Sequence, residues 1–185
     1  YDVLRLAFSN GGRLLICGNG GSAADSDHIV GELMKGFERQ RPVDDELRQR
    51  LLAVESQRGA YLADRLQGAL PAISLSSHAA LATAISNDVA ADMVFAQQVL
   101  GYGRAGDVLL AISTGGNAEN VLNALHVARA LGLRTIGMTG QTGGRMRTLC
   151  DVAICVPHQR TLQIQERHLP IYHALCIMLE EAFFA

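Results

Sequence analysis

Short apolar runs rich in β-branched and large aliphatic residues recur at "RLLICG" (13–18), "PAISLS" (71–76), "DVLLAIST" (107–114), "RTIGMTG" (134–140) and "DVAICVP" (151–157). Their length and near-continuous apolar character predict strands buried on both faces. Between them, over 22–37, 44–68, 78–102, 117–131 and 160–184, apolar positions follow helical spacing. Strands alternating with helices predict an α/β three-layer sandwich, a parallel sheet covered on both faces. Segment 42–70 is more charged than its surroundings, with Leu47, Leu51, Val54, Tyr61, Leu62 and Leu66 near helical spacing. It reads as an amphipathic helical segment inserted before the second strand, divided at Gly59, with its leucine face buried on the same or a neighbouring subunit. The opening "YDVLRLAFSNGG" is already apolar in pattern and reads as a helix lacking its upstream part.

Two glycine-rich turns follow predicted strands and precede predicted helices. In "CGNGGSAADSDHIVGEL" (17–33), Gly18, Gly20 and Gly21 let the backbone approach a ligand, Asn19 lies among them, and Ser22 is expected to cap a helix whose free N–H groups favour an anion. The turn matches neither the dinucleotide fingerprint nor the P-loop, so no nucleotide cofactor is expected. In "STGGNAEN" (113–120), Ser113, Thr114 and Asn117 offer hydroxyl and amide groups beside Gly115. A third turn, "TGQTGG" (139–144), reads as punctuation. His28 and Glu32, four apart, share one helix face and form a candidate acid/base or metal pair. The last helix carries a second polar group, Gln165, Glu166, His168 and His173, with Pro170 expected to bend it.

At 185 residues the chain fits one domain. Its net charge of -2, with most of the 16 Lys and Arg scattered, excludes a nucleic-acid groove. No apolar run approaches the ~18 residues of a membrane span, and no signal peptide is present, so a soluble, cytoplasmic protein is expected. Cys17, Cys150, Cys155 and Cys176 form no C-x-x-C pair and are expected to be free thiols.

Taken in order, "CGNGGSAADSDHIVGEL", "AISND" with Asn87 and Asp88, "GDVLLAISTGGN", "MTGQTGG" and "IQERH" followed by His173 resemble the sugar isomerase (SIS) domain family, and within it the phosphoheptose isomerases. The resemblance covers residues 1–41 and 71–185. It implies a single SIS domain with a five-stranded flavodoxin-like sheet, and a homotetramer with sites at subunit interfaces. The implied reaction interconverts sedoheptulose 7-phosphate and D-glycero-D-manno-heptose 7-phosphate. The residues carried over are Glu32 as base and His173 as acid. A zinc ion would be held by His28, Glu32, Gln165 and His173. Substrate contacts would fall on Asn19, Gly20, Gly21, Ser22, Glu32, Asn87, Asp88, Ser113, Thr114, Gly115, Asn117 and Gln165. The chain departs from the pattern at Gly115 and Ala118, where the family has phosphate-binding serines, at Gly36, where it has an arginine, and at Leu162, where it has an aspartate. Two other functions go with this fold: a non-catalytic relative that binds the bacterial replication initiator, which lacks the Glu and the final His, and a sugar-phosphate sensor.

Overall fold

Alternate residues of a strand face opposite ways, and that alternation divides the core in two. In β1 (Leu14–Gly18) and β3 (Val108–Ile112), Leu14, Ile16, Val108, Leu110 and Ile112 point to one face, where they meet α1 (Asp2–Ser9), α2 (Gly21–Met34) and α9 (Thr161–Phe184). Leu15, Cys17, Leu109 and Ala111 point to the other, against α6 (Val94–Tyr102), α7 (Glu119–Ala130) and α8 (Met146–Leu149). With β2 (Ala72–Ser74), β4 (Arg134–Thr139) and β5 (Val152–Cys155) they form a five-stranded, all-parallel sheet in the order β2–β1–β3–β4–β5. The computed structural model describes residues 1–185, and the architecture is the expected α/β sandwich with flavodoxin-like order. No helix is long and apolar enough to cross a membrane.

Local chemistry moved several boundaries. The pattern over 78–102 resolves into α5 (Ala79–Asp88), a 3-10 turn and α6, because Ala90 takes an extended conformation after Asp88, whose charge is unfavourable at a helix C-terminus. Segment 42–70 holds α3 (Asp45–Val54) and α4 (Ser56–Ala63), packed on each other. The break between them is at Glu55 and not at Gly59: Glu55 is extended, and its carboxylate accepts from Gln57 N at 2.8 Å and Arg58 N at 2.6 Å to start α4. Leu47, Leu51 and Leu62 are half-buried within this chain, while Leu66 is 46% and Val54 86% exposed. α9 runs unbroken through Pro170. All four cysteines are free thiols, and burial pushes those of Cys150 and Cys176 up to about 12.

One ion pair lies wholly inside the protein. Arg41 donates from Nε to Glu180 Oε1 at 2.8 Å, from Nη1 to Leu33 O at 2.8 Å and from Nη2 to Glu32 O at 3.1 Å. The carboxylate of Glu180 also accepts from Phe37 N at 2.8 Å and Glu38 N at 2.9 Å. Both side chains are essentially inaccessible. Burial opposes ionisation of Glu180, but the two backbone amides and Arg41 outweigh it and hold the carboxyl below its usual range.

Glu180→Gln is therefore expected to destabilise the fold by about 3–5 kcal/mol in urea titration, since it leaves a buried guanidinium unpaired. Because the folded pKa is depressed, the carboxylate's contribution is complete above the ordinary value of 4.5 and is lost as pH falls through the folded value. The stability gap between wild type and variant should accordingly narrow in acid.

Candidate active site

The strand order reverses between β1 and β3, so β1 leads into α2 on one face and β3 into α7 on the other, opening a crevice at the carboxyl edge of the sheet. A cleft of about 410 Å³ fills it. Asn19, Gly20, Gly21 and Ser22 line it from the first turn, Ser113, Thr114 and Ala118 from the second, and Thr161 and Gln165 from α9. Helices α2, α7 and α9 all begin at this cleft, and no side chain caps any of them. Each bare terminus favours an anion, by about 0.3–1 kcal/mol where exposed. Ser22 is not the expected cap: Gly20, at φ +56°, holds that position and Ser22 is buried in the first helical turn.

The turns are held by their own polar groups. Asn19 and Asn120 exchange two amide hydrogen bonds of 2.9 Å, joining the first turn to α7. Ser113 N donates to Met138 O and Gly140 N to Thr114 O, each at 3.0 Å, fixing the second turn to β4. The Asn117 amide serves the loop and lies outside the cleft lining: Nδ2 donates to Gly115 O at 2.8 Å and Oδ1 accepts from Arg145 N at 3.0 Å. Gly115 is exposed and also outside the lining. Asn87 and Asp88 sit at the exposed end of α5, bonded to each other at 2.8 Å, away from the cleft.

From the cleft, α2 and α9 run side by side away from the carboxyl edge. Gln165 packs so closely on Gly21 that any β-carbon there would run into its amide. Further along, His28 Nε2 lies 3.1 Å from Glu32 Oε1, and the His28 and His173 rings meet edge to face with centroids 5.0 Å apart. Glu32 Oε2 and His173 Nε2 are buried and have no hydrogen-bond partner. Lys35 Nζ stands 3.5 Å from Glu32 Oε2 as a charge contact without hydrogen-bond geometry. It thus supplies a cation beside Gly36, where a side chain would collide with Arg39 O and the Gln67 amide.

Two further polar residues join this face. Tyr172 OH is 3.0 Å from His28 Nδ1 and donates to Asp25 Oδ1 at 3.3 Å. Burial pushes the Asp25 carboxyl above its usual range, against the opposing pull of Tyr172, His168 and His28. Burial likewise lowers His168, whose Nε2 lies 3.3 Å from Thr139 O. Sequence reasoning missed Asp25 and Tyr172. The signal for Asp25 was its spacing of three and seven before His28 and Glu32, which puts all three on one helix face.

The donors nominated for zinc divide between the two ends of this face. The imidazoles of His28 and His173 and the carboxylate of Glu32 suit that ion chemically. Gln165, however, lies at the cleft end beside Gly21, and no three His, Cys, Asp or Glu side chains are arranged to hold a metal. As they stand these residues do not fit a metal centre. A larger cavity, about 520 Å³, lies at the opposite edge of the sheet against α1, where Arg13 and Arg104 neighbour Asp107. It holds none of the residues described above.

A parallel 2-1-3-4-5 sheet with bare helix ends at its switch point and a His–Glu–His cluster between α2 and α9 is compatible with a SIS-type domain, and the SIS domain family matches residues 56–140. The chain is 42% identical over 177 residues to the phosphoheptose isomerase of a Nitratiruptor species, spanning 96% of this chain and 81% of that protein. Among solved structures, phosphoheptose isomerase GmhA from Neisseria gonorrhoeae superposes with a TM-score of 0.77 at 34% identity, covering 97% of this chain and 82% of that one. A phosphoheptose isomerase from Francisella tularensis gives 0.79 at 31% identity with the same coverage. The chain belongs to the phosphoheptose isomerase family. The span matched to the Nitratiruptor protein includes segment 42–70 at least in part, and the SIS match itself begins inside that segment.

Ser113→Ala and Thr114→Ala should each weaken binding of a sugar phosphate about tenfold or more by calorimetry, in line with the ~1.5–3 kcal/mol of a hydrogen bond to a charged group. Gly115→Ser should leave the melting temperature unchanged, since the glycine has no positive φ and open space stands above it.

Proposed function

We propose that this chain is an aldose–ketose isomerase that interconverts sedoheptulose 7-phosphate and D-glycero-D-manno-heptose 7-phosphate, supplying heptose for lipopolysaccharide or other glycan precursors. The observation that carries the reading is that α2 and α9 share an uncapped anion cleft at their start and, farther along the same two helices, bring together Glu32 Oε2 and His173 Nε2, two buried atoms without hydrogen-bond partners. The likeness over nearly the whole chain to proteins named phosphoheptose isomerase supports the choice of sugar.

The substrate's phosphate sits among the helix ends and the Ser113 and Thr114 hydroxyls, which places the carbonyl end of the seven-carbon chain towards Glu32. Glu32 removes a proton from C1 of the ketose, and the electron pair forms the C1–C2 double bond of a cis-enediol as O2 takes a proton from His173. Glu32 then returns its proton to C2 while His173 recovers one from O1, leaving the aldehyde at C1. Carbon and oxygen each lose one proton and gain one, so no redox partner is needed.

Glu32→Gln and His173→Asn should each reduce turnover by at least ~10²-fold with the fold intact. Exchange of the C1 hydrogen of the ketose with deuterated water, read by proton NMR, should vanish in Glu32→Gln. Near-normal exchange in that variant would remove the assignment.

We propose further that the protein is a homotetramer with sites at subunit interfaces. Exposed apolar residues on α4 and α9, among them Tyr61, Leu169 and Ile177, support this. Native mass spectrometry should give the mass of four chains, and a monomer would overturn the claim.

A further inference from the structure

We infer that Tyr172 and Asp25 are positioning residues for the isomerisation, fixing the ring of His28 and, through it, the Glu32 carboxylate; the inference rests on the function proposed above. Four side chains from two helices form an unbroken polar line. Asp25 Oδ1 accepts from Tyr172 OH at 3.3 Å, Tyr172 OH is 3.0 Å from His28 Nδ1, and His28 Nε2 is 3.1 Å from Glu32 Oε1.

The phenol has a single proton. Given to the Asp25 carboxylate, it leaves only the oxygen lone pairs for His28, so Nδ1 must carry the hydrogen of that contact, and the Nε2–Glu32 Oε1 contact is completed by a further proton held between those two atoms. The hold is needed because the side chain of His28 is 43% exposed and its ring is otherwise fixed by edge-to-face contacts with Tyr172 and His173. A base that moves a proton between adjacent carbons works only from a narrow range of positions. Tyr172 is 1% exposed and belongs to the hydrophobic core, so its ring anchors the line while its oxygen directs it.

Tyr172→Phe keeps the ring and removes only the oxygen, and Asp25→Asn keeps the shape and removes the charge. Each should lower kcat for sedoheptulose 7-phosphate by about 10–100-fold, the scale for losing a group that orients a functional histidine, with KM within about twofold and melting little changed. The double variant should be no slower than Tyr172→Phe alone, because both act through one line. In metal-free protein labelled with nitrogen-15, the His28 ring should be protonated at Nδ1 in wild type and lose that pattern in Tyr172→Phe. Normal kcat in Tyr172→Phe, additive losses, an unchanged His28 pattern, or failure of both single variants to fold would overturn the inference. If wild type converts no heptulose phosphate, the functional reading fails instead, and the His28 pattern still decides whether the line positions that ring.

Discussion

The buried Arg41–Glu180 pair is the constraint on which the acid/base face depends. Its guanidinium takes up carbonyls at the end of α2, those of Glu32 and Leu33, and its carboxylate partner is fixed in α9. The pair therefore locks the far ends of two helices whose near ends are set by the sheet. Without it, the last turn of α2, which carries Glu32, would be held to α9 mainly by apolar packing, which is strong but tolerant of sliding. A buried ion pair is a weak source of net stability compared with apolar residues of equal volume. Here it supplies definition: it fixes the backbone beneath the Glu32 carboxylate.

With both ends fixed, the side-by-side course of α2 and α9 brings residues far apart in sequence onto one face. Gln165 and His173 are eight positions apart, about 12 Å along a helix, and do not converge on one point. They mark two stations, Gln165 at the start of α2 and His173 beside His28 and Glu32. From Ser22 to Glu32 is about 15 Å along α2, so the face suits an elongated molecule with an anion at one end and its reactive carbon at the other. The two environments differ accordingly. Bare helix ends attract charge at the cleft, whereas at the other station Glu32 Oε2 and His173 Nε2 are shielded from water, which strengthens their interactions with charged and polar groups.

The strands and the sheet order were legible because buried parallel strands leave continuous apolar runs and because helices alternate with them. The glycine turns and the His28–Glu32 pair were equally plain, since local spacing places them. What the sequence did not disclose depends on contacts between distant segments. Arg41 reads as one more charge in a basic stretch, and Glu180 as a surface residue of an amphipathic helix, until α9 lies against α2. Gly59 looked like a helix breaker, but the capping geometry of Glu55 made the break. Asn117 looked like a ligand-facing amide, yet it spends both of its polar groups on its own loop and on Arg145. In each case the residue type was informative and its partner was not.

The departures from the family pattern acquire a shared physical sense. Gly36 has no room for a side chain, so an arginine could not simply be restored there, and the nearby cation is Lys35, which turns to Glu32 and not to the cleft. Neither Lys nor Arg lines the cleft within one chain. What it offers an anion is three bare helix termini, the hydroxyls of Ser22, Ser113, Thr114 and Thr161, and the amides of Asn19 and Gln165. Such a field falls off within a turn of the helix. It favours an anion already seated at the helix ends far more than it draws one in from solution, as a surface arginine would.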